Sequence, residues 1–200
     1  EGVDGKPIEI SDGYAIRRSK YESGRPVESS HFDRNDKPVV MRLGYFKWKA
    51  KFDELGHELE RAYFDKNEVR VMLPDGYSRV ASTYDRRGNR VLDSYFDTRD
   101  KATPHKEGNV KLALQYDDRG NVTERQFLGA DGKPIVLADH FAIERFRFDS
   151  RGNQLEVSYW DADKEPKPTW HRKGHSAARS VYDERGRQVE MAYYDPSGQL

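Results

Sequence analysis

One six-residue pattern recurs along the chain and fixes most of what it can fold into. An aromatic residue, Asp, two variable residues, Gly and Asn run over Tyr84–Asn89, Tyr116–Asn121 and Phe148–Asn153. Variants are Phe52-Asp53-Glu54-Leu55-Gly56-His57 and Tyr182-Asp183-Glu184-Arg185-Gly186-Arg187, with a shortened Tyr21-Glu22-Ser23-Gly24-Arg25. The leading aromatics are 31, 32, 32, 32 and 34 residues apart. The stretches Gly2–Tyr21 and Gly129–Phe148 also align without a gap at a constant offset of 127. Self-similarity at a fixed period is the mark of a tandem array. The expected organisation is a single repeat array over residues 1–200. Its units lie at approximately 1–31, 32–63, 64–95, 96–127, 128–159 and 160–193, with a partial unit at 194–200. The chain starts and stops inside a unit, which leads us to expect a fragment of a larger protein.

The chemistry of each unit is that of a β-hairpin. Asp at the head of Asp-x-x-Gly can cap a turn with its side chain, and Gly accepts a positive φ. The flanks alternate with period two, which is strand behaviour. Phe46, Trp48, Ala50 and Phe52 fall on one face, and Lys47, Lys49 and Lys51 on the other. Leu155, Val157 and Tyr159 share a face after the turn. A four-residue loop would place Phe148 opposite Asn153, Phe146 opposite Leu155 and Arg145 opposite Glu156. The same rule pairs Lys49 with Glu60 and Arg179 with Glu190. A second turn follows each hairpin, at Asp4-Gly5-Lys6-Pro7, Asp36-Lys37-Pro38 and Asp131-Gly132-Lys133-Pro134. A short apolar stretch such as Ile135-Val136-Leu137 comes next, either a third short strand or a segment that closes over the apolar face.

An isolated hairpin is marginal in water, so neighbouring units must cover each other's apolar side. The fold class is therefore all-β: tandem antiparallel β-hairpins of about 32 residues forming an extended twisted sheet or a β-solenoid-like rod. Composition agrees. Hydrophobic residues are 35% and charged residues 35%, a balance suited to a thin fold with much surface per residue. Zero net charge, 12% aromatics and the repeat itself argue against disorder. No apolar run is long enough for a spanning helix, so membrane insertion by a helix is not expected. The absence of cysteine removes disulfides and thiolate ligands.

Tyr-Asp-x-x-Gly-Asn, Tyr-Phe-Asp and Asp-Gly-Lys-Pro together resemble the bacterial aromatic–glycine β-hairpin repeats. The nearest are the Rhs/YD-type and MORN-type repeats, with WG repeats a looser relative. The resemblance covers nearly the whole chain, and it implies a scaffold, shell or binding module rather than a catalyst. The period here is longer than the usual one of Rhs/YD repeats.

Candidate chemistry was sought against that background. The six histidines are His31, His57, His105, His140, His171 and His175. His171-x-x-x-His175 would suit a metal on a helix, but Pro166, Pro168 and Gly174 surround it, so no metal and no cofactor is expected. No Gly-x-Ser-x-Gly or His-Glu-x-x-His motif occurs. Glu60, Glu124, Glu156 and Glu190 recur at one strand position, a ladder rather than a pair of differently tuned acids. Enzymatic activity is not expected. Lys47, Lys49, Lys51, Arg79, Lys111, Arg145, Arg147 and Arg179 form a basic stripe that could meet phosphates. Glutamates beside it and the zero net charge favour a face of paired charges, with no nucleic acid bound.

Each hairpin ends in adjacent large residues: Tyr63-Phe64, Tyr95-Phe96, Phe127-Leu128, Tyr159-Trp160 and Tyr193-Tyr194. Successive strand residues face opposite ways, so one member is core and the other points away from it. Phe64, Phe96, Trp160 and Tyr194, with Trp170 in an enlarged loop, are the candidate ligand-binding residues. Two functions follow. One is a protein-interaction or scaffold element serving a protein partner or a fused domain of the same polypeptide. The other is a carbohydrate or cell-wall binding module that stacks glycan rings on the aromatics.

Overall fold

Every Asp-x-x-Gly becomes the tip of an antiparallel hairpin. In the computed structural model, which describes residues 7–163 and 167–200, twelve strands are found and no helix. They are β1 (Ile16–Glu22), β2 (Arg25–Phe32), β3 (Lys47–Phe52), β4 (Glu58–Phe64), β5 (Arg79–Tyr84), β6 (Arg90–Phe96), β7 (Lys111–Tyr116), β8 (Val122–Leu128), β9 (Ile143–Phe148), β10 (Gln154–Trp160), β11 (Ala177–Tyr182) and β12 (Gln188–Tyr194). Strand order in the sheet is sequence order. The tandem antiparallel hairpins expected from the sequence are thus the architecture adopted, in one open sheet. Contacts divide the chain into two compact units, residues 1–83 with 94–106 and residues 84–93 with 107–200.

The hairpin turn works as its composition predicts. The Asp85 carboxylate accepts the backbone N–H groups of Arg87 and Asn89 at 2.8 and 2.9 Å. Its second oxygen accepts the Asn89 side-chain amide at 3.0 Å. Asp117 and Asp149 repeat the arrangement with Asn121 and Asn153. These bonds hold each of the three aspartates ionised, its carboxyl pKa below the usual range, with the amide bond from Asn the leading cause. Gly88 takes φ 84°, a conformation that costs a residue with a Cβ.

The register differs from the one expected. Phe148 pairs with Gln154, a bulge follows, and then Arg147 pairs with Glu156 and Phe146 with Val157. Likewise Lys51, not Lys49, faces Glu60, and Val181, not Arg179, faces Glu190. The loop therefore spans five residues, closed by the Asp149 N–H on the Asn153 carbonyl at 3.0 Å. Loop plus bulge displace the pairing by two residues. A displacement of two leaves every side chain on its own face, so alternation alone cannot distinguish the two registers.

The second turn is stapled in the same way, with Asp33, Asp65 and Asp97 each accepting two backbone N–H groups. The predicted turn at Asp4–Pro7 lies largely outside the described residues. Among the described residues, the chain makes no third strand after the second turn. It makes one bridge to the end of the preceding strand, as in Phe64 with Arg70 and Phe96 with Ala102. A third turn that the sequence reading did not find then follows. Met41, Leu73, Leu137 and His171 donate their N–H to the carbonyls of Tyr45, Tyr77, Phe141 and His175 at 2.7–2.8 Å. This turn, rather than a helix, is what His171 and His175 belong to.

Candidate functional site

The two residues that end each hairpin part company as alternation requires. The inner member joins a ladder of rings laid against the third turns. In the first unit, Tyr45 and Tyr63 lie 4.9 Å apart, Tyr63 and Tyr77 6.2 Å, and Tyr77 and Tyr95 5.1 Å. His31 sits between Tyr14 at 4.7 Å and Tyr45 at 5.7 Å. Its Nδ1–H donates to the Phe46 carbonyl at 2.9 Å, and burial pushes its pKa down. In the second unit, Phe127, Phe141, Tyr159, His171, His175 and Tyr193 continue the same theme at 4.5–5.7 Å. Burial also lowers the His171 pKa. Met41, Tyr45 and Leu73 form a buried core cluster in one unit, and Phe127, Leu137 and Phe141 in the other.

The outer member, the candidate for ligand binding, is half-buried and has a cation on its ring. Lys49 lies 5.0 Å from the Phe64 centroid, Arg79 3.9 Å from Phe96, Arg145 4.2 Å from Trp160 and Arg179 4.2 Å from Tyr194. Arg18 stands 4.4 Å from Phe32 in the same way. Each such contact is worth roughly 0.5–1 kcal/mol at a partly exposed site. In four hairpins the cation lies three positions before the turn aromatic. In the fifth that position is Ala81, and Arg79, two residues earlier and on the same strand face, supplies the charge.

Acidic groups hold these cations over the rings. Arg18 meets Asp36 at 2.7 Å, and Arg79 meets Asp100 at 2.7 Å. Lys49 meets Glu68 at 2.7 Å, and Lys47 joins the same carboxylate. Asp36, Glu68 and Asp100 occupy one position of the second turn, with φ of 64°, 64° and 62°. A side chain with a Cβ rarely adopts that conformation, and here it aims the carboxylate back across the strand. Bonds from Lys47 and then Lys49 bring the Glu68 carboxyl down to about 2. The recurrent strand glutamates act across hairpins. Glu60 bonds Lys51 of its own hairpin at 3.1 Å and Arg79 of the next at 3.0 Å. Glu156 does the same with Arg147 at 3.3 Å and Arg179 at 2.8 Å. Lys47, Lys49, Lys51, Arg79, Arg145, Arg147 and Arg179 of the basic stripe are therefore paired with acidic groups. Most members are half-exposed, so each pair contributes little alone.

Phe64, Phe96, Trp160 and Tyr194 end β4, β6, β10 and β12, and Trp170 lies in the loop between β10 and β11. Phe64 and Phe96 belong to the first unit, Trp160, Trp170 and Tyr194 to the second. Trp160 donates its indole N–H to the Ser158 hydroxyl at 3.0 Å. Trp170 is 50% exposed, just ahead of the His171 turn. None of the five lines the cavity of about 260 Å³ beside His31, Tyr45 and Trp48, or that of about 610 Å³ beside Pro134, Ile143 and Arg145. The sequence reading missed the ring–cation pairing. Its signal was available as Arg or Lys on the outer face of each first strand wherever the second ends in an aromatic.

No family model matches the chain, and no curated protein matches it. Solved structures do. The one described as "Crystal Structure of TcdB2-TccC3-TEV" matches 95% of this chain with a TM-score of 0.50 at 12% identity. A second, "Crystal Structure of TcdB2-TccC3-Cdc42", matches 96% at 13% identity with a TM-score of 0.38. The chain covers 10% of the length of each of these chains. At such identity the likeness to the first concerns the fold, a run of antiparallel hairpins.

Proposed function

We propose that the chain is a non-catalytic repeat module of a larger bacterial protein, of the aromatic–glycine hairpin class that includes Rhs/YD-type repeats. On this reading its task is to present a stable face to a protein partner or to another domain of the same polypeptide. The observation that carries the reading is the cation over each outer aromatic. Groups that could have served as open stacking platforms or as an acid–base pair are instead engaged with one another, hairpin after hairpin. The likeness to a segment of a much longer chain supports the same reading.

Carbohydrate binding is the second reading, and the exposed indole of Trp170 in the enlarged loop favours it. Tryptophan fluorescence during titration with soluble chitooligosaccharides and peptidoglycan fragments separates the two. The scaffold reading predicts no saturable change in emission. A saturable change that Trp170→Ala or Trp160→Ala abolishes would put carbohydrate binding in its place.

A further inference from the structure

Third turns of successive repeats are clasped to each other, and at one place the clasp is open. The Lys106 N–H donates to the Asp75 carbonyl at 2.7 Å, and its ammonium meets the Asp75 carboxylate at 2.7 Å. Arg172 does the same to Asp139, at 3.0 and 2.6 Å. The turn ahead of β1 is closed by the Ile10 N–H on the Tyr14 carbonyl at 2.9 Å, and the Arg42 N–H reaches back to the Asp12 carbonyl at 3.2 Å. There the likeness stops, because the side-chain half of this clasp is not made. Among the described residues, neither Asp12 nor Arg42 takes part in an ion pair, and Arg17 on β1 takes part in none either. These two arginines contrast with the basic stripe on the outer face, whose cations are held by acids.

The cavity of about 260 Å³ lies in this opening. Three rings wall it, Tyr14 and Tyr45 from the two turns and Trp48 from β3. Tyr45 belongs to the buried cluster with Met41, and Trp48 packs against that cluster. Arg61 lies 4.2 Å from the Trp48 ring and is bonded in turn to Glu58 at 2.8 Å. The walls are therefore set in place before any ligand arrives, which lowers the cost of binding. His31, 2% exposed, also lines the cavity. Asp12, Arg17 and Arg42 are exposed members of the lining.

The chemistry of these groups selects a ligand. Two guanidinium groups against one carboxylate leave a single positive charge. A guanidinium fork matches a carboxylate through two parallel N–H···O bonds. Rings pack well against a planar apolar body in edge-to-face or offset geometry. A cavity of about 150 Å³ can hold one benzene molecule. The volume of about 260 Å³ thus suits one ring with a short side chain. We propose that this cavity is a binding site for a small aromatic carboxylate, its ring among Tyr14, Tyr45 and Trp48 and its anionic group at Arg17 and Arg42. The site is built wholly from residues 12–48, within one compact unit. It is independent of the scaffold reading, which concerns the outer aromatics.

Isothermal titration calorimetry with phenylpropionate tests the proposal. Phenylpropanol serves as the ring without the charge, and propionate as the charge without the ring. The expected result is saturable one-to-one binding of phenylpropionate at roughly 0.1–1 mM, the range for a ligand of this size. Phenylpropanol and propionate should each bind at least about tenfold more weakly. Arg17→Gln and Arg42→Gln should each weaken phenylpropionate binding about tenfold, with thermal midpoints close to the parent's. Asp12→Asn removes the one repelling charge and should tighten binding about two- to fivefold, a gain that a damaged fold would not produce. No saturable binding of phenylpropionate in the millimolar range would overturn the proposal. So would equal affinity for phenylpropanol, or an affinity that none of the three substitutions changes.

Discussion

The hairpin that ends in Phe96 and the one that ends in Leu128 occupy the same place in successive repeats and solve the same problem differently. Phe96 is half-buried beneath Arg79, which Asp100 and Glu60 hold in place. Leu128 is 7% exposed and has no ring for a cation to sit on. The rest of the set changes with it. Gly132 replaces the left-handed acid, Leu92 replaces the strand glutamate, Ala113 stands at the cation position, and only Lys111 remains. Around Leu128 the ring, the left-handed acid and the strand glutamate are thus replaced together, whereas the Tyr194 hairpin keeps ring, cation and glutamate with Gly198 in the place of the left-handed acid. Where the set is absent, burial of an aliphatic side chain does the work.

That contrast can be broken most forcefully at Leu128. Leu128→Ala should cost about 2–4 kcal/mol in chemical denaturation, the range for truncating a buried leucine. A loss below about 1 kcal/mol would mean that burial is not what anchors this strand end. The cations give the next largest difference. Arg79→Ala strips Phe96 of its cap and leaves Asp100 and Glu60 without a shared partner, and a cost of about 1–2 kcal/mol is expected. Lys111→Ala touches no such set and should lie within about 0.5 kcal/mol of the parent. Equal costs at the two positions would erase the distinction.

Acid gives a smaller effect with a definite sign. The Glu68 carboxyl is near 2 in the folded protein, below its ordinary value of 4.5. A lowered folded-state pKa contributes stability that is present above 4.5 and is lost as pH falls from there through 2. Glu68 is half-exposed, so solvent screening limits the effect to a few tenths of a kcal/mol. Thermal melts of the parent and Glu68→Gln should converge as pH drops from 5 toward 2, and salt should shrink their difference. Parallel curves over that window would show that the lysines do not hold this carboxylate.

Much of this was legible in the residues. The hairpin tips followed from Asp-x-x-Gly, and the faces followed from alternation. What escaped has identifiable physical causes. Period two is blind to a displacement of two, so the five-residue loop and its bulge stayed hidden, and Lys49 was assigned the partner that belongs to Lys51. The third turn is clear where Gly precedes a tyrosine, as in Gly44-Tyr45 and Gly76-Tyr77. It blurs where His140 takes the positive φ and where Asn109 takes the ring position. The acids at 36, 68 and 100 read as ordinary turn residues, because nothing in a sequence reveals a backbone that aims a carboxylate across a strand. The cation moves from Lys49 to Arg79 in successive hairpins, and a fixed-offset search loses it.

A double-mutant cycle on Arg79 and Phe96 bears most directly on whether the outer aromatics belong to the molecule's own framework. Free energies of unfolding would be measured for the parent, Arg79→Ala, Phe96→Leu and the double variant. The account predicts a favourable coupling of about 0.5–1 kcal/mol between the two side chains. Additive losses, with no coupling beyond error, would contradict it and leave the Phe96 ring free to serve something outside the chain.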